Sequence, residues 1–81
     1  MAINKRVYEA VMSGKSDYNI RFASFTKLIV DLGFRLVAQE GSHRNYRHDA
    51  LRVKISVQPD GDKAKAYQVK QLRDIIKKYK L

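Results

Sequence analysis

The sequence predicts an α+β fold: a two-layer sandwich with helices on one face of a three-stranded antiparallel sheet. Two observations carry this. Apolar residues recur at helical spacing before Gly33 and again after Pro59, and at a spacing of two between them. The chain is also short, 81 residues with one proline, and shows no low-complexity tract or internal repeat. That leaves room for a single domain over 1–81. A domain of this size buries only about 60% of its unfolded surface, so chemistry is expected on a shallow surface.

The first segment, Asn4 to Ser13, carries Val7, Tyr8, Ala10, Val11 and Met12 in a loose helical pattern that Gly14 ends. Ser16 to Phe22 connects onward, with Ile20 and Phe22 tucked under the domain. In the second helix Phe25, Leu28, Ile29 and Leu32 share a face, Ser24 is the expected N-cap and Gly33 the C-terminal residue. The period then changes. Phe34, Leu36 and Ala38 alternate with Arg35, Val37 and Gln39, the pattern of a half-buried strand. Gly41-Ser42 turns into a second strand, His43 to His48, and Asp49-Ala50 turns into a third. There Leu51, Val53, Ile55 and Val57 alternate with Arg52, Lys54, Ser56 and Gln58. Pro59-Asp60-Gly61-Asp62 is a turn sequence, because proline fixes φ and glycine permits a positive one. The last helix, about Lys65 to Lys80, places Val69, Leu72, Ile75, Ile76 and Tyr79 on one face.

With helices on one face, alternation decides what the other face shows. The rows Phe34/Leu36/Ala38 and Val53/Ile55/Val57 are expected to point inward. Arg35/Val37/Gln39 and Arg52/Lys54/Ser56/Gln58 then point outward. On the middle strand Tyr46 is the natural inward residue, which sends His43, Asn45 and Arg47 outward. The open face is therefore basic and polar, with one histidine in it.

Charge supports that picture. Lys and Arg number 17 against 8 Asp and Glu, a net charge of +9, and the pI is near 10.0. Residues 1–40 hold six basic and four acidic side chains, whereas residues 41–81 hold eleven and four. This concentration makes nucleic acid the leading partner class; simple solubility and an acidic protein partner fit the same charge. The absence of cysteine excludes a disulfide framework and a thiolate metal site, and is compatible with a reducing cytoplasm. No apolar run approaches the roughly 20 residues of a membrane span. The start, Met1 to Arg6, has no secretory pattern, so a cytoplasmic protein without a membrane partner is expected.

Few residues can carry chemistry. His43 and His48 lie five apart on one strand and face opposite ways, a poor ligand pair, so no metal is expected. Gly14, Gly33, Gly41 and Gly61 are isolated and form no phosphate loop. Ser42 and His43, as neighbours on a strand, do not make a nucleophile–base dyad. A lone imidazole on a basic face remains. RNA brings its own nucleophile, the ribose 2′-OH, so a cleaving protein need only move protons and stabilise negative charge. His43 flanked by Arg44, Asn45 and Arg47 has the right residue types; on types alone, an exposed histidine without a chemical role is the simpler reading.

Leu32-Gly33-Phe34, the strand Arg35 to Glu40, Gly41-Ser42-His43, and then Tyr46 and His48 resemble the HicA family of bacterial toxins. The stretch from Gln58-Pro59-Asp60 through Ala64 to Leu72 is similar to a longer HicA subgroup, so the likeness spans roughly Ile20 to Tyr79. The resemblance implies an mRNA interferase with a double-stranded-RNA-binding-like fold in α-α-β-β-β-α order. It implies cleavage without a metal or other cofactor and without the ribosome, and neutralisation by a HicB antitoxin. By the same resemblance His43 is the catalytic histidine. Gly41 permits the tight approach into its strand, and Ser42 has no role beyond the turn. His48 faces inward, and the helix up to Lys15 lies outside the shortest form of the family, where it adds packing. Arg44, Arg47 and Lys54 are the expected phosphate contacts, with Asn45, Arg52, Lys65 and Lys70 completing the RNA-binding set. Two rival readings are a non-catalytic double-stranded-RNA-binding module and an adaptor for an acidic protein. For the module, Lys63, Lys65 and Lys70 supply part of the usual lysine cluster at the last helix.

Overall fold

A computed structural model describes residues 3–81. The elements run α1 (Lys5–Ser13), α2 (Phe22–Asp31), β1 (Arg35–Glu40), β2 (His43–His48), β3 (Val53–Val57), β4 (Pro59–Asp60), β5 (Lys63–Ala64) and α3 (Ala66–Tyr79). β1, β2 and β3 form the antiparallel meander in that spatial order, and β4 pairs with β5 as a separate hairpin. The fold is α+β with the helices on one face of the three-stranded sheet. Their shared core is Val11 of α1, Phe25, Leu28 and Ile29 of α2, and Val69, Leu72 and Ile76 of α3. Against these lie Tyr46, Ile55 and Val57, the inward residues of β2 and β3.

α1 starts where Asn4 caps it, its Oδ1 accepting from the Arg6 and Val7 amides at 3.1 and 3.3 Å. The start of α2 departs from expectation. Arg21, not Ser24, occupies the N-cap position, and no side chain caps the helix. The reason is tertiary. The Phe22 amide donates to the Asp62 carbonyl at 2.8 Å and the Ala64 amide to the Ile20 carbonyl at 2.8 Å, so the β4–β5 hairpin takes over the entry to the helix. Ser24 is left inside the first turn. At its other end α2 closes as a Schellman motif, with Gly33 donating to the Val30 carbonyl and Phe34 to that of Ile29.

β1 brings the largest correction. Its register runs Arg35 opposite Arg47, Leu36 opposite Tyr46 and then Ala38 opposite Asn45, a β-bulge that leaves Val37 without a partner. One extra residue inverts the facing of everything after it. Ala38, expected inward, therefore joins the open face with Arg35, while Gln39, expected outward, pairs with Arg44 on the helix side. Leu36 does lie on the Tyr46 side, but β1 is an edge strand that the helices do not cover, and Leu36 stays 45% exposed. Only Phe34, just before β1, enters the core. Two smaller corrections follow: β3 begins at Val53 rather than Leu51, and the turn at residues 59–62 is wider than expected, a hairpin closed by Gly61-Asp62.

Candidate functional site

His43 is the first residue of β2, and its place is set by the hairpin before it. Glu40 and His43 are register partners, so Gly41-Ser42 is a two-residue loop. Gly41 has φ +59°, the positive value that the first loop position of a type II′ turn demands. His43 is exposed and lines a hollow of about 290 Å³ with Glu40, Asn45, Ser56, Val57, Gln58, Tyr67 and Gln68. The hollow runs from the open face of β2 and β3 to the start of α3.

Register gives the rest of the face. Asn45 lies opposite Ser56 and Arg47 opposite Lys54, so these four share the His43 side of the sheet. The Ser56 hydroxyl donates to Asn45 Oδ1, which fixes the carboxamide beside the histidine. At the far end Asp49 joins two arginines, accepting from Arg35 Nε at 2.6 Å and from Arg47 Nε at 3.1 Å. The hydrogen bond from Arg35 holds the Asp49 carboxyl below its ordinary range, and the Arg35 guanidinium is raised in turn. Arg47 therefore already has an anionic partner. Lys54 is exposed and, among the described residues, has no carboxylate within ion-pair distance.

The remaining expected contacts are scattered. Arg44 has the parity of Tyr46, and its guanidinium lies 5.3 Å from the centre of the Phe22 ring on the helix side. Arg44 and His43 thus stand on opposite faces. Arg52 occupies the β2–β3 turn with φ +56°, at the end of the sheet away from His43. Lys65 is the N-cap residue of α3, while Lys70 is exposed and bonds Asp74 at 2.8 Å. That bond lowers the Asp74 carboxyl. His48 faces inward as expected: its ring meets Phe34 edge-on at 5.2 Å, and its Nδ1 accepts from the Leu51 amide at 3.3 Å.

Four groups around His43 were not expected to meet it: Glu40, Gln58, Tyr67 and Gln68. Glu40 was legible, because a two-residue loop makes it the cross-strand partner of His43. Tyr67 carried a fainter signal, an aromatic residue off the apolar stripe of its helix. Gln58 and Gln68 meet through a tertiary bond, the Gln58 amide donating to Gln68 Oε1 at 3.1 Å, which no local pattern announces. No group of three or more metal-ligating side chains is placed together among the described residues.

Fold and face define a small α+β domain with a polar, basic sheet surface and one exposed histidine at a hairpin mouth. The family model described as HicA toxin of bacterial toxin-antitoxin matches residues 23–81. The chain belongs to that family and is a toxin of a toxin–antitoxin system. No match was found among curated proteins or solved structures. α1 lies outside the matched segment, and no described helix is long and apolar enough to cross a membrane.

Proposed function

We propose that this toxin is an mRNA endoribonuclease of the cytoplasm that works without a metal or the ribosome, uses His43 as its proton-transfer group, and is held in check by a HicB-like antitoxin. The supporting observation is that His43 is exposed in an open hollow, beside a fixed carboxamide and on the same face as the Arg47 and Lys54 cations. In the reaction the 2′-oxygen of a ribose bonds to the adjacent phosphorus while the bond from phosphorus to the 5′-oxygen breaks. The 2′-OH loses one proton and the 5′-oxygen gains one, leaving a 2′,3′-cyclic phosphate and a 5′-hydroxyl. His43 serves one of those transfers and water the other. Lys54, and Arg47 beside it, stabilise the charge on the phosphoryl oxygens. An open hollow suits a strand presented without the ribosome.

A single proton-transfer group contributes about 10²–10⁴-fold. His43→Ala and His43→Gln are therefore expected to lose at least about 100-fold of RNA cleavage and to relieve growth arrest, with thermal stability kept because the side chain is exposed. Cleavage by both variants at the parent's rate would overturn the assignment, as would products ending in a 3′-hydroxyl. A parent that binds duplex RNA and never cuts RNA would instead establish the non-catalytic binding module.

A further inference from the structure

Tyr67, the second residue of α3, borders two hollows. One is the His43 hollow. The other, about 470 Å³, is walled by Tyr18 and Tyr67 together with Lys63 and Lys65. Tyr18 is 81% exposed and Tyr67 64%, more than any other large hydrophobic side chain among the described residues. Neither ring contributes to the core. Tyr67 is nonetheless held in place: its hydroxyl accepts from Gln68 Nε2 at 3.3 Å, and Gln68, only 4% exposed, is tied through its other amide atom to the Gln58 backbone. The second hollow carries two ammonium groups against one carboxylate, that of Asp60. Lys63 has only a long contact of 3.8 Å to the exposed Asp62, and Lys65 has no carboxylate within ion-pair distance among the described residues.

Wet aromatic rings interleaved with lysine ammonium groups match one ligand chemistry well: unstacked bases on a phosphate backbone. We infer that the two hollows form one track for single-stranded RNA, with bases stacking on Tyr67 and Tyr18 and phosphates following Lys63 and Lys65, leading the strand to His43. A duplex does not fit this chemistry, because its bases are already stacked on one another and their faces are hidden. The inference rests on the ribonuclease reading of His43 and adds to it the substrate class and the course of the strand.

Binding is measured in a His43→Ala background, so that RNA stays intact, with a fluorescent single-stranded oligonucleotide and with the same sequence as a duplex. Tyr67→Ala and Tyr18→Ala are each expected to weaken single-strand binding about tenfold and to leave duplex binding unchanged. Tyr67→Phe keeps the stacking ring but loses the hydroxyl that Gln68 holds, so it is expected to weaken single-strand binding less than Tyr67→Ala does. Lys65→Ala should flatten the dependence of single-strand binding on salt. Unchanged single-strand affinity in both tyrosine-to-alanine variants would overturn the track, and so would a loss confined to the duplex or to binding of an antitoxin. If His43→Ala abolishes cleavage while those variants bind normally, the track alone fails. If His43→Ala still cleaves, the assignment of His43 as the proton-transfer group fails instead.

Discussion

At Gly33 the backbone has φ +106°, and a Cβ placed there would stand 2.7 Å from His48 Nε2. Both the left-handed conformation and the imidazole exclude a side chain. Gly33→Ala is expected to cost about 1–3 kcal/mol in a urea titration. Adding His48→Ala would recover the steric part and leave the conformational part; parent-like stability of Gly33→Ala would refute this account. The helix-ending role of Gly33 and the inward turn of His48 were both legible, but their contact was not, because it joins residues from separate elements. Arg44 teaches the opposite lesson. Alternation already placed it with Tyr46, yet its neighbourhood to His43 in sequence suggested a shared site. Adjacent residues on a strand face opposite ways.

Among the elements, α3 and the helices are the most legible, because Val69, Leu72 and Ile76 repeat at helical spacing and are all buried. The less legible parts depend on partners. The cap of α2 is supplied by a hairpin some forty residues onward, and the bulge in β1 depends on how β2 pairs with it. A similar long-range contact fastens α3. Arg73 bonds both carboxylate oxygens of Asp17 and the Val11 carbonyl through its guanidinium, with the Arg73 and Asp17 side chains 13% and 15% exposed. It joins α1, the α1–α2 connection and α3. Removing one partner strands the other in a largely dry site, so Arg73→Ala is expected to destabilise the fold by roughly 2–3 kcal/mol. A midpoint within error of the parent's in chemical denaturation would show that the clamp contributes nothing.

For the molecule as a whole the net charge is +9, and pairing decides which cations of the sheet face are left to meet an anionic ligand. Asp49 offsets two arginines at one end of the open sheet face, which leaves Lys54 as the cation of that face with no carboxylate within ion-pair distance among the described residues. The sequence located the excess in its second half, but which cations are paired depends on side-chain contacts. Paired carboxylates also set the response to acid. Asp49 and Asp74 have folded pKa values below their ordinary ones, so the unfolded chain binds their protons more readily. Their contribution is complete above the ordinary carboxylate range near pH 4 and is lost as pH falls through the depressed values. Thermal stability should fall below about pH 4, less steeply in Asp49→Asn, and high salt should reduce the difference because the pairs are exposed. Identical acid limbs for parent and variant would refute the role of Asp49.

The bulge at Val37 has a last consequence, for solubility. The outer rim of β1 offers amide and carbonyl groups to solvent, with Leu36 and Val37 exposed beside them. A straight rim of that kind would template a strand from another copy and so begin a fibril. The bulge bends the rim and breaks the even spacing of its hydrogen-bonding groups, while Arg35 and Glu40 place charge at its two ends. The irregularity that turns Ala38 and Glu40 toward the histidine thus also keeps an exposed edge from propagating.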